Sequence, residues 1–237
     1  VGTGVTIGVA GIATFRSGRI DVGDSLNNTS IGAGAGDAYT TGANNTALGY
    51  NALTANTTGG SNVAVGREAM LTNVTGHTCT AIGDKALRTM DAAYYNVAIG
   101  YYTGYAITTG SKNVIVGNES LKACTTGDQH VAIGYEAGAA VTTNDNTTAV
   151  GYNALKANTA SSNTAFGCYA ADANTSGEGN TAAGYNSFSG NTTGSYNTAY
   201  GAGSLAVSNG ANNTAIGYQA LDVNTASANT AVGADAG

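Results

Sequence analysis

Asn45-Thr46-Ala47-Leu48-Gly49-Tyr50-Asn51-Ala52-Leu53 comes back as Asn213-Thr214-Ala215-Ile216-Gly217-Tyr218-Gln219-Ala220-Leu221. The opening pentad, Asn-Thr-Ala-hydrophobic-Gly, recurs along the chain. Its closing glycine stands at Gly32, Gly49, Gly66, Gly83, Gly100, Gly117, Gly134, Gly151, Gly167, Gly184, Gly201, Gly217 and Gly233. Nine of the intervals are 17 residues and three are 16. A fixed period of this size marks stacked repeats. The reading is all-β: a parallel β-solenoid (β-roll or β-helix) of about 13 turns of 16–17 residues. Residues 28–237 form the repeat shaft. Residues 1–27 are an irregular lead-in with a strand at Val5, Ile7 and Val9 and a basic pair, Arg16 and Arg19. The chain opens at Val1 and stops four residues past Gly233, so a segment of a longer polypeptide is expected.

Composition agrees. Charged residues are 9% of the chain, against ~25% in ordinary domains. Pro is absent, as suits a chain that is nearly all ladder, where every residue donates its N–H. The net charge of −6 is scattered and no Lys/Arg stripe exists, so no nucleic-acid partner is expected. No apolar run approaches ~18 residues, so no membrane partner is expected either. Cys79, Cys124 and Cys168 fall in different copies, too far apart for a bridge. Small buried or half-buried thiols are expected, with an intermolecular bridge as the alternative.

Each position of the repeat carries a demand, counted from the closing glycine as zero. Position −1 is apolar and −3 is Thr or Val in every copy. Both lie on one face of a strand, expected to point into the coil. Position −2 is Ala except at Ser30 and Ile115, and is expected to face outward and to need cover from outside. Position −4 is Asn except at Cys79, His130 and Thr147. It fits an amide ladder or a turn at strand entry. The glycine needs a positive φ or a close backbone approach. Position +3 is small. Position +4 is Leu, Met or Phe in eight copies, closing the opposite wall. The Asn/Thr/Ser/Gly-rich remainder reads as loops along one outer edge, and the length changes fall there, as at 158–163. A coil this thin has little interior, so burial against further copies, in a symmetric homo-oligomer, is expected.

The pentads at 45–49, 96–100 and 213–217 resemble the Asn-Ser-Val-Ala-Ile-Gly repeat of trimeric autotransporter adhesin heads, the YadA-like left-handed parallel β-roll. The longer unit Asn-Thr-Ala-Ile-Gly-Tyr-x-Ala-Leu is similar to repeats of bacteriophage tail fibres. The resemblance covers about residues 28–237. It implies a left-handed homotrimer, a structural fibre shaft in the virion that holds a receptor-binding tip. Its partners would be itself, other tail proteins, and a host receptor or glycan reached through that tip. The alternative is the head of a bacterial surface adhesin, outside the cell. Three separate coils side by side and an interwound triple helix are both compatible with the repeat.

No enzyme, cofactor or metal is expected. His77 and His130 have no zinc spacing with the cysteines. The carboxylates do not pair at a recurring place, which disfavours a glycan-cleaving spike. An ice-binding Thr-x-Thr face is disfavoured because the residue two past each Thr is hydrophobic. Tyrosines recur at +1, and Tyr135 and Tyr152 fall in consecutive turns as candidates for surface contact. They would stack on sugar rings or pack between chains.

Overall fold

The protein's structure, a computed structural model, describes residues 25–237. The expected strand at Val5–Val9 and the Arg16/Arg19 pair lie outside the described residues. A three-residue strand occupies positions −3 to −1 of every copy, from β1 (Thr29–Ile31) and β2 (Thr46–Leu48) to β13 (Thr230–Val232). The 13 strands form one parallel sheet in chain order, which winds the chain into a solenoid of about 12 turns. No helix occurs among the described residues. Each strand pairs with the next of the same chain.

Like positions meet along the sheet. Thr46, Ala47 and Leu48 pair with Val63, Ala64 and Val65. A 16-residue turn keeps the same register, with Thr148 opposite Thr164. The strand N–H groups bond alternately up and down the coil. The N–H of Thr46 donates forward to Asn62 O at 2.8 Å and that of Gly49 donates back to Ile31 O at 2.9 Å.

The closing glycines meet both conditions expected of them. From Gly32 to Gly217, φ is +131° to +141° and a Cβ would touch the backbone of the next turn's glycine. At Gly117 it would lie 2.3 Å from Gly134 O. Gly233 keeps the positive φ, but its Cβ would meet nothing nearer than Ala236 Cβ at 3.8 Å.

The two strand faces are reversed relative to expectation. From Ala47 to Ala215 every residue at −2 is fully buried inside the coil, whereas Ser30 in the first strand is exposed and Ala231 in the last is half-buried. Positions −3 and −1 point outward: Ile31 is 51% exposed, Leu48 43% and Phe166 50%. The cause is the width of the coil. Position −2 faces the +4 side chain of the opposite wall, and opposite Leu, Met or Phe there is room for one methyl group. Where +4 is Gly104, a Cβ would meet Ile115 Cδ1, Leu87 Cδ2 and Ile107 Cδ1 at 2.9–3.2 Å. Ile115, the exceptional residue at −2, and Ile107 at +7 therefore fill the space that a +4 side chain occupies elsewhere. Tyr39 at +7 does the same beside Gly36, and Val141 beside Gly138.

The segment between corner and loop is tightly laddered too. Positions +2, +4 and −5 take a positive φ in every described turn, including Leu53 (51°) and Leu121 (50°). That region costs an L-residue about 1–2 kcal/mol. Here it orients alternate N–H groups toward opposite neighbours. Asn51 N–H donates back to Ala33 O at 2.9 Å and Leu53 N–H forward to Ala69 O at 3.1 Å. Burial of the +4 side chain offsets the strain further.

Two outcomes test this packing. Gly117→Ala should lower stability by more than the ~1–3 kcal/mol that the backbone strain alone costs, and by more than Gly233→Ala, when urea midpoints are compared. Ile115→Ala restores the prevailing residue at −2, yet should destabilise by about 2–5 kcal/mol, because Gly104 leaves the cavity unfilled.

Candidate functional site

Most of the side chains with reactive groups support the backbone. Position −4 is a largely buried spine in which the Asn side chain reaches across to the following turn with both its oxygen and its nitrogen. Asn45 Oδ1 accepts the backbone N–H of Asn62 at 2.9 Å, and its Nδ2 donates to Gly59 O at 2.9 Å. The ladder thus runs chiefly from side chain to backbone. It runs amide to amide at +7, where Asn174 Nδ2 donates to Asn158 Oδ1 and Asn191 Nδ2 to Asn174 Oδ1, at 2.9 and 2.8 Å. These +7 residues are buried, so this part of the supposed outer loop lies inside.

The exceptions at −4 substitute chemically. Cys79 Sγ accepts the N–H of Asn96 at 3.4 Å. His130 Nδ1 accepts the N–H of Thr147 at 3.2 Å, which fixes a neutral ring with its proton on Nε2. Thr147 has no amide to give to the next turn, and Asn144 Nδ2 donates to Ala160 O at 2.7 Å in its place. His77 belongs to a second row, at −6, where side chains accept backbone N–H groups from the preceding turn. His77 Nδ1 takes Gly60 N–H at 2.8 Å, and Ser111, Asp128 and Asp145 accept in the same way. Both histidines are therefore structural acceptors. Burial pushes the Cys79 and Cys124 thiols up to about 11, so they stay protonated. All three cysteines are free, and Cys168 is half-buried. No cluster of three or more metal-ligating side chains occurs among the described residues.

What remains is the outer surface, and it has two unlike faces. The strand face carries −3 and −1: Thr or Val beside Ile, Leu, Val, Phe, Tyr or Ala, with no charged residue from β1 to β13. The adjoining face carries +1 to +6. Five of the six lysines and arginines among the described residues lie there, Lys112 being the other. Arg88 Nε meets Glu68 Oε2 at 2.7 Å, and Arg67 Nη2 meets Asp84 Oδ2 at 3.0 Å. Lys122 and Lys156 close on Glu136 at 3.1 and 2.6 Å. The two lysines, Lys156 foremost, hold the Glu136 carboxyl below the usual carboxylate range, the opposite of what a general acid requires.

Tyr135 and Tyr152 stack here at 5.3 Å between centroids and 14° between planes. The row continues where +1 alone does not show it. Tyr169, at +2, meets Tyr152 edge-on at 5.3 Å and Tyr185 at 6.4 Å. Neighbouring offsets share one patch of surface, so +1 and +2 read together reveal the run. The thirteen glycines lie under the corner between the two faces as backbone elements and present no ligand group.

No protein-family model, curated protein or solved structure matches this chain. No helix among the described residues is long and apolar enough to cross a membrane. The arrangement offers contact surfaces, with reactive groups held in the spine and in ion pairs.

Burial holds the His130 pKa below its ordinary 6.5. The stability tied to neutral His130 is therefore fully present above the unfolded value and is lost as pH falls toward the folded one. His130→Asn should flatten the fall in melting temperature between about pH 7 and about pH 5 relative to the unmodified protein.

Proposed function

We propose that the chain is the shaft of a homotrimeric bacteriophage tail fibre, which holds a receptor-binding tip away from the virion. The observation that carries this reading is the uncharged strand face with its continuous row of outward apolar side chains at −1. At ~10 Å wide and ~4.8 Å per strand it spans about 600 Å² in projection. Packing three coils through this face would bury the outward −1 side chains along the whole length and supply the burial that a thin coil lacks. Symmetric closure would leave no copy of the face uncovered. The number three, the left hand and the virion location rest on the resemblance of the repeat to fibre and adhesin-head repeats. The tip, other tail proteins and a host receptor complete the proposed set of partners.

The aromatic, charged second face favours one other reading, the head of a bacterial trimeric surface adhesin. There the coil itself would be the binding module.

Sedimentation equilibrium should return about three times the 23.2 kDa chain mass. Ile99→Glu together with Ile133→Glu should give a folded monomer with an unchanged far-ultraviolet circular dichroism spectrum. A monomeric unmodified chain would sink the assembly. Immunogold labelling should mark phage tail appendages, whereas label on the bacterial surface would favour the adhesin.

A further inference from the structure

The run of tyrosine rings ends at Tyr185, on the wall of a cleft. The next turn places Ala202 and Gly203 where the earlier turns carry rings, so no ring contact reaches Tyr185 from that side among the described residues. Tyr185 is more than half exposed. Gly190 and Ala206 lie against each other in the same cleft, where a Cβ at Gly190 would fall 2.5 Å from Ala206 O. The cleft is shallow and open to solvent, and offers about 420 Å³ of space.

Beside Tyr169 and Tyr185, three further polar side chains line the cleft: Asp172, Asn186 and Ser189. Glu68, Glu119 and Glu136 on the same face are all in ion pairs, whereas Asp172 is in no ion pair among the described residues and its carboxylate is held by the backbone N–H groups of Asp172 and Ala173, with Lys156 attracting it from further off. Asp172 is half-buried, and burial raises its pKa. The other aromatic patch of this face is capped instead. Lys85 sits 4.8 Å from the Tyr102 ring centroid and Arg88 5.8 Å from that of Tyr105.

We propose that this cleft is a subsite for a neutral hexopyranose, one residue of a longer glycan running along the coil toward Tyr169. An open tyrosine face suits the C–H face of a pyranose. A carboxylate keeps lone pairs for hydroxyl protons beside the backbone N–H groups of Asp172 and Ala173 that it already meets, while an amide and a hydroxyl both donate and accept. A lipid chain would offer nothing to Asn186, to Ser189 or to the remaining lone pairs of Asp172. An anionic sugar would be repelled by Asp172 in a chain whose net charge is −6. The cleft uses none of the strand-face residues, so the subsite stands whether or not the trimer forms and whichever structure carries the shaft.

The test titrates the folded protein with maltohexaose, cellohexaose and mannohexaose by calorimetry and saturation-transfer NMR. At least one should bind saturably. Tyr185→Ala should weaken that binding about tenfold or more. Asp172→Asn should weaken it too, and Tyr101→Ala, on the capped patch, should leave it unchanged. Unaltered melting temperatures for Tyr185→Ala and Asp172→Asn would separate lost binding from lost fold. Three outcomes would overturn the proposal: no saturable binding of any of the three, binding indifferent to Tyr185→Ala and Asp172→Asn, or spermine or heparin competing for the cleft more tightly than the neutral sugars.

Discussion

Backbone contact at the glycine corner is the constraint on which the coil depends. From Gly32 to Gly217 a methyl group would lie 2.2–2.6 Å from the glycine backbone one turn on. Successive turns therefore touch there main chain to main chain. The strand precedes the corner directly, so a fixed corner fixes the register of the strand. Register in turn brings like positions together. Asn reaches the backbone of the next Asn, Ala stacks on Ala, and Leu on Leu. Because the corner cannot shift, a change of length must be absorbed elsewhere. The 16-residue turns drop their residue in the loop, and Thr148 still faces Thr164.

Much of this was legible in the sequence. The period located each strand, since β-branched and apolar residues at −3 and −1 mark extended chain. The glycine row was legible because one residue type recurs there, and the wall at +4 because a large apolar residue recurs in eight copies. The parity of the strand was not. Alternation separates two faces but does not say which is inside, and the usual rule sends bulk inward. Here the interior admits one methyl group opposite Leu53 or Phe188, so bulk goes outward. Nor does composition distinguish an exposed turn Asn from a buried one, and Asn174 and Asn191 lie in the interior as hydrogen-bonded partners. The left-handed residues at +2 and −5 had a faint signal in Asn51, Asn153, Asn44 and Asn212, a type that tolerates that conformation. Leu at +4 gave none. The aromatic run was half legible, because Tyr169 sits one offset from its neighbours.

The reversed strand changes how the surface is organised. Had Ala faced outward, the outside would be a smooth wall with little to hold another molecule. Instead the coil is amphipathic around its circumference. One side is free of charge, with an apolar row at −1 beside Thr or Val at −3, and the next carries nearly all the described cations with most of their acidic partners. Titratable groups that elsewhere would suggest chemistry, His77 and His130 among them, are drawn into backbone support, where an acceptor is needed at every turn.

The compensation around Gly104 sets a limit on how such a chain can change by recombination. Most turns carry their own +4 side chain, so loss or duplication of one turn between near-identical pentads joins compatible neighbours. The turn containing Gly104 and Ile107 depends on Ile115, which belongs to the next strand. A crossover between them would leave a void on one product and crowd the other. These residues form an inheritance unit larger than the repeat itself, although nothing in the pentad marks its boundary.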